Sequence, residues 1–179
     1  MKIVRKLFVV PMADNDHGKS TMIRALVSQG LGEEIRLQKK GARELVSPQG
    51  RPVDAYVFGR SYQEVEKGKY GSVEGALDAN DAQWRERELI IMPSHVEEVD
   101  QSDIQDMIDV GHSAGFDVIA ASIILAWDDG GNQAQFPTIW GMAWDERWTI
   151  PNPWNDKPEG QLEALGRDLW TWICRGLVP

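Results

Sequence analysis

Three blocks of apolar residues are too dense for elements with one wet face. Leu7-Phe8-Val9-Val10, Glu88-Leu-Ile-Ile-Met-Pro93 and Asp117-Val-Ile-Ala-Ala-Ser-Ile-Ile-Leu-Ala126 each read as a strand buried on both sides, the first bounded by Pro11. Between them the period lengthens to that of helices. Met22, Ile23, Leu26 and Val27 share a face of Thr21–Gln29, with Gly30 as a stop. Ser102–Ala114 turns Ile104, Met107, Ile108 and Val110 toward a core, with Ser102 as N-cap and Gly115 as its end. Gln161–Arg175 closes the chain as an amphipathic helix. Residues 34–58 alternate charges with apolar positions around Ser47-Pro-Gln-Gly-Arg-Pro52, which predicts a hairpin. Tyr62–Asn80 is helical in part, interrupted by Gly68, Gly71 and Gly75.

A strand, a helix and a strand at the spacing of 88–126 make a parallel crossover unit. The fold expected is α/β: a mostly parallel sheet flanked by helices, with an inserted β-hairpin and a Trp-rich C-terminal layer. The 179 residues suit one core, so the chain is read as a single domain over 1–179, with 34–87 as an insertion or acceptor region and 128–179 as a C-terminal extension. At 42% apolar and 26% charged, the composition is that of a globular domain. The net charge of −9 makes the chain a poor candidate for wrapping duplex nucleic acid, where Lys and Arg must neutralise phosphate. A single cysteine, Cys174, excludes an internal disulfide and a Cys-rich zinc site. The histidines His17, His95 and His112 lie far apart. The apolar run near Val118–Trp127 is about half the length of a membrane span. The short apolar run after the N-terminal basic residues leads directly into a charged loop, so no signal peptide or membrane contact is expected and the location is read as cytoplasmic.

The segment between the first strand and the first helix carries the most chemistry. Ala13-Asp14-Asn15-Asp16-His17-Gly18-Lys19-Ser20-Thr21 has a small residue, four free positions, then Gly-Lys-Ser. Gly18 admits a phosphate oxygen close to the backbone, Lys19 brings a point charge to the terminal phosphates, and the Ser20 hydroxyl is a Mg²⁺ ligand. Backbone amides and the helix N-terminus complete an anion cradle. Carboxylates at Asp14 and Asp16 oppose this by charge repulsion unless they turn away or meet Mg²⁺ through water.

These residues resemble the phosphate loop of P-loop nucleoside triphosphatases. The string Asp16-His17-Gly18-Lys19-Ser20-Thr21 is similar to that of translation-factor GTPases. The resemblance implies nucleotide binding by Ala13 to Thr21, catalysis through Lys19, and Mg²⁺ at Ser20. No Asn-Lys-x-Asp string is present, so guanine selectivity is unsupported; ATP is the expected nucleotide, with GTP open. Asp109-Val-Gly-His112 has one residue too few for the GTPase switch motif and is not assigned to it.

Such sites place a carboxylate at a strand end. Asp128, after the strand 117–126, is the candidate, either for Mg²⁺ and catalysis or as a turn residue. Ser94 and His95, after the strand 88–92, either face the nucleotide or occupy an exposed loop. Asp54 is a weaker candidate for a base. Arg43, Arg51, Arg60, Arg85 and Arg87 are spread where small kinases bind their acceptors, and Gly50–Glu64 is similar to the acceptor-binding region of guanylate kinases. Each arginine is otherwise a solvated charge.

All tryptophans but Trp84 lie from Trp127 onward, at 127, 140, 144, 148, 154, 170 and 172. They either pack the last helix onto the sheet or form a patch for self-association, a partner or a base. Pro137, Gly141, Pro151 and Pro153 favour extended structure there. Two functions follow. One is Mg²⁺-dependent binding of a nucleoside triphosphate with hydrolysis or phosphoryl transfer to a small-molecule acceptor. The other is a nucleotide-gated switch or assembly subunit, with slow turnover, that binds a protein partner or a second copy of itself through the Trp-rich region. A degenerate P-loop scaffold is the third and weakest reading.

Overall fold

A computed structural model describes residues 5–14, 18–125, 133–153 and 156–177. Its strands are β1 (Leu7–Met12), β2 (Gly41–Val46), β3 (Pro52–Val57), β4 (Leu89–Ile91), β5 (Asp117–Leu125) and β6 (Glu146–Asn152). They form one six-stranded sheet in the order β2-β3-β4-β1-β5-β6. Only β2 runs antiparallel to its neighbour; the other pairings are parallel. The helices are α1 (Lys19–Leu31), α2 (Glu66–Tyr70), α3 (Val73–Asn80), α4 (Gln101–Ser113), α5 (Phe136–Trp140) and α6 (Pro158–Leu177).

The sheet separates two cores. Along β1, Leu7 and Val9 meet Met22, Leu26, Leu169 and Ile173 from α1 and α6. Phe8, Val10 and Met12 face the other way, onto Leu77, Ile104, Met107 and Ile108 from α3 and α4. All six β1 side chains are buried, as the uninterrupted apolar run requires.

Several local expectations change. Pro11 does not end β1. The strand continues to Met12, paired Pro11↔Ala121 and Met12↔Ser122, and the Pro11 carbonyl accepts from the Ser94 N–H at 2.9 Å. Gly30 is not the stop of α1 but a buried position inside it, where a Cβ would stand 2.9 Å from that of Leu45. The helix ends at Gly32, in the left-handed region at φ 73°. Ser102 lies inside α4 rather than capping it. A 3-10 turn at Glu98–Asp100 leads into the helix, closed by reciprocal bonds between Glu97 and Asp100. Extended structure is found at β6, but Pro137 sits in the first turn of α5, where its missing N–H has no partner to lose. The hairpin forms as expected, β2 and β3 joined by a turn in which the Ser47 N–H donates to Arg51 O and the Gly50 N–H to Ser47 O.

The described tryptophans are divided between the two cores. Trp170 belongs to the α1–α6 side, and Trp84 and Trp144 to the other. Trp148 meets Trp172 edge-on at 6.2 Å, and the half-buried Trp140 donates from Nε1 to Ser122 Oγ at 2.9 Å. Trp127 and Trp154 lie outside the described residues. Among the described residues no helix is long and apolar enough to cross a membrane.

Helix α6 crosses α1 at Gly166, where a Cβ would lie 2.3 Å from Met22 O and 2.9 Å from the Ala25 Cβ. Gly160, in the same helix, has nothing within 4 Å of its Cβ position. Gly166→Val is expected to lower unfolding free energy by about 1–3 kcal/mol through overpacking. Gly160→Ala should raise it by about 0.5 kcal/mol through helix propensity. Urea denaturation of both variants checks the crossing, and equal effects would contradict it.

Candidate functional site

β1, β3 and β4 run in one direction, so their carboxyl ends open on one edge of the sheet. An isolated bridge pairs Met12 with Ser94 just beyond β4, and the Ala13 N–H approaches Ser94 O at 3.4 Å. The chain after β3 folds over the same edge, with the Phe58 N–H on Ile91 O and the Tyr62 N–H on Pro93 O, both at 2.9 Å. Ser20, exposed in the first turn of α1, approaches Gly59 O with its Oγ at 3.5 Å.

The junction of loop and helix is built from Gly18, Lys19 and Ala13. Gly18 occupies the left-handed region at φ 91°, ψ 6°, and precedes α1 without a capping side chain. No acidic residue stands in the first turn. Among the described residues, neither the cap position nor the first turn supplies a side-chain acceptor to the helix's positive end. A Cβ on Gly18 would stand 2.6 Å from Leu162 Cδ2, so α6 walls this turn. Lys19 is buried, and its ammonium reaches back to donate to Ala13 O at 2.5 Å and Asp14 O at 2.7 Å. Ala13 is fully buried and Asp14 half-buried. Thr21 is half-buried one position after Ser20. Asn15, Asp16, His17 and Asp128 lie outside the described residues.

Ser94 is not in an exposed loop: it is fully buried, and its hydroxyl is spent on structure. It accepts from Gln63 Nε2 at 2.9 Å and donates to His95 O at 2.8 Å. Gln63 ties the edge together, because its Oε1 also accepts the His95 N–H at 3.1 Å. His95 is half-buried, with Nε2 3.3 Å from Glu64 Oε1. Asp103 binds Lys67 at 2.9 Å. Burial pushes the Asp100 carboxyl above the usual carboxylate range, and His95 opposes that shift. Burial, then the negative charges of Asp103, Asp106 and Glu66, raise the Tyr62 phenol to about 12, so it stays protonated at neutral pH. The Cys174 thiol, buried on α6, is likewise pushed up to about 12.

Asp54 does not join the site. It lies near the start of β3, one position before the Ala55↔Leu89 pair, and binds Arg87 at 2.6 Å at the opposite end of the sheet. Four of the arginines are also engaged elsewhere. Arg51 pairs with Glu88, Arg85 with Glu74 and Asp78, and Arg87 with Asp81 and Asp54, while Arg43 donates to Lys39 O. Arg60 is different. It follows Gly59 at the site edge, is exposed, and makes no ion pair among the described residues.

No protein-family model matches the chain, and no curated protein is similar to it.

Two features of this edge went unread in the sequence. The Gln63 clamp has no motif. The second is a cavity of about 320 Å³, walled in part by Leu37, Gln38, Phe58, Arg60, Val65 and the Gly59 that Ser20 approaches. Its one local signal is Gly59, where a Cβ would stand 2.4 Å from Gln38 O. Among the described residues no group of three or more His, Cys, Asp or Glu converges as a metal site.

Gly18→Ala adds a Cβ in a left-handed conformation and against Leu162. It is expected to cost about 1–3 kcal/mol of unfolding free energy in urea. A variant as stable as wild type would mean the turn does not need glycine.

Proposed function

We propose that the chain is a Mg²⁺-dependent nucleoside-triphosphate-binding protein of the P-loop type that hydrolyses its nucleotide or transfers the γ-phosphoryl group. ATP is the preferred nucleotide of this reading and GTP the alternative. The observation that carries it is the start of α1: a left-handed glycine, no capping side chain, no first-turn carboxylate, and a lysine bent back across the preceding loop. The positive end of a helix favours an anion, and first-turn amides with a nearby ammonium match a chain of phosphate oxygens. The central place of β1, between two parallel strands, fits the same reading, since ligands of open α/β sheets sit at carboxyl strand ends.

In this mechanism Lys19 exchanges its carbonyl acceptors for phosphate oxygens and offsets the charge that grows on them during transfer. Ser20 is the exposed hydroxyl that would hold Mg²⁺. Bound there, the ion would neutralise phosphate charge, and one or two protein oxygens beside the phosphates suffice for it. Asp128 is the strand-end carboxylate of this proposal.

Phosphoryl transfer to a small molecule is favoured over a partner-binding switch by a specific observation. The described tryptophans are buried or half-buried in the two cores, whereas a cavity is lined by Gly59, whose carbonyl Ser20 approaches at 3.5 Å. Thermal melts of wild type and Lys19→Ala, with Mg²⁺ and ATP or GTP, test the reading. At 100 times the dissociation constant a ligand adds about 2.7 kcal/mol, or roughly 5–11 °C for this length. The wild type should shift with one nucleotide and the variant should not. No shift with either nucleotide would sink the proposal.

A further inference from the structure

Cations are unevenly distributed in this acidic chain. Residues 36–43 contain Arg36, Lys39, Lys40 and Arg43 with no acidic side chain between them, against a net charge of −9 overall. Lys39 and Lys40 line the 320 Å³ cavity, and Arg60 stands across from them at the end of β3. Lys40 is held by Glu66 at 2.6 Å. Lys39 and Arg60 are exposed and pair with no carboxylate among the described residues.

The rest of the wall is mostly apolar; its one carboxylate, Glu66, is already held by Lys40 and Asn80. Leu37 is 69% exposed and Val65 42%, an unusual display for large aliphatic side chains, and both border the cavity over the Phe58 ring. Gln38 also lines it, and its buried Oε1 has no hydrogen-bond donor. The volume is at the lower end of the range for small-molecule sites. The larger groove of about 480 Å³ between α1 and α6 lacks this combination: Glu33, Glu34 and Glu163 line it beside Arg24 and Arg167, and Arg24 is already tied to Glu159 and Glu163.

We propose that the cavity between residues 37–40 and 58–66 binds a small organic anion: an aromatic or aliphatic body bearing one phosphate or carboxylate. The apolar body lies on Leu37, Phe58 and Val65, and Arg60 and Lys39 take the anionic group. Ser20 Oγ, near Gly59 O, joins this cavity to the first turn of α1. Its role as the phosphoryl-acceptor site rests on the nucleotide reading above; its ligand chemistry does not.

The test is isothermal titration of the nucleotide-free protein with phenyl phosphate as probe. Inorganic phosphate, benzyl alcohol and a short oligothymidylate are the comparisons. Phenyl phosphate should bind at least about tenfold tighter than inorganic phosphate or benzyl alcohol, and Arg60→Ala should weaken it about tenfold, the loss of one charge-assisted contact. Arg60 has no structural partner, so the variant's melting temperature should match wild type. Lys19→Ala should keep its affinity for phenyl phosphate. A preserved phenyl phosphate site in a protein that fails to bind ATP would retain this proposal while removing the nucleotide one. Equal affinity for phenyl phosphate and inorganic phosphate, or indifference to Arg60→Ala, would overturn it. Tighter binding of oligothymidylate than of phenyl phosphate would overturn it in favour of a single-stranded nucleic-acid surface.

Discussion

Burial of β1 on both faces governs the carboxyl edge of the sheet. Its side chains enter two separate cores in alternation, and it is paired along its length with β5 and over its first half with β4. A slip by one residue would exchange the two sets of side chains, so the register is strongly fixed. With β1 fixed, the chain after Met12 must leave the sheet beside Ser94 and turn directly into α1. Gly18 and the crossing of α6 over α1 then set the direction of that helix. Leu162 on one side and the Ser94–Gln63 bonds on the other leave the helix's first turn facing the end of β3.

That arrangement uses polar groups in two distinct ways. Ser94, Gln63, Asp103 and Lys67 satisfy one another and hold the loops at the sheet edge. Buried hydroxyls and amides with complete partners serve as joints rather than as reagents. The start of α1 and the cavity at Gly59 are less complete among the described residues: Gly18 caps the helix with no side chain, and Arg60 has no counter-ion. A positive helix end and an unpaired guanidinium mark the edge where an anionic ligand would gain most.

The parts of the fold legible in the sequence were those whose signal is local. The runs in β1, β4 and β5, the turn at Ser47–Arg51 and the periodic faces of α1, α4 and α6 all read correctly in type. Glycine and proline were harder, since each has two meanings. Gly30 serves close packing on Leu45, whereas Gly32 ends the helix, and only the fold separates them. Pro11 continues a central strand because its carbonyl still finds the Ser94 amide. The Gly-Lys-Ser string located the loop, but Asp54 and the arginines were candidates only by their position in the segment after α1, with a solvated charge as the alternative for each arginine. The sheet carries Asp54 to the far end, and carboxylates occupy Arg51, Arg85 and Arg87. Glu88 and Asp54 lie more than thirty residues from Arg51 and Arg87. The nearer partners of Arg85 and Arg87 are set by the turn after α3, so none of these pairs leaves a pattern in the sequence.

The account turns on phosphate recognition by the backbone and Lys19 at the start of α1. Its most direct measurement is the affinity, with Mg²⁺, of AMP, ADP and ATP in competition against a fluorescent ATP analogue. Affinity should rise in that order in wild type, and the differences should largely vanish in Lys19→Ala. Equal affinities for AMP and ATP would show that the phosphate chain is not what the protein holds, and would contradict the account.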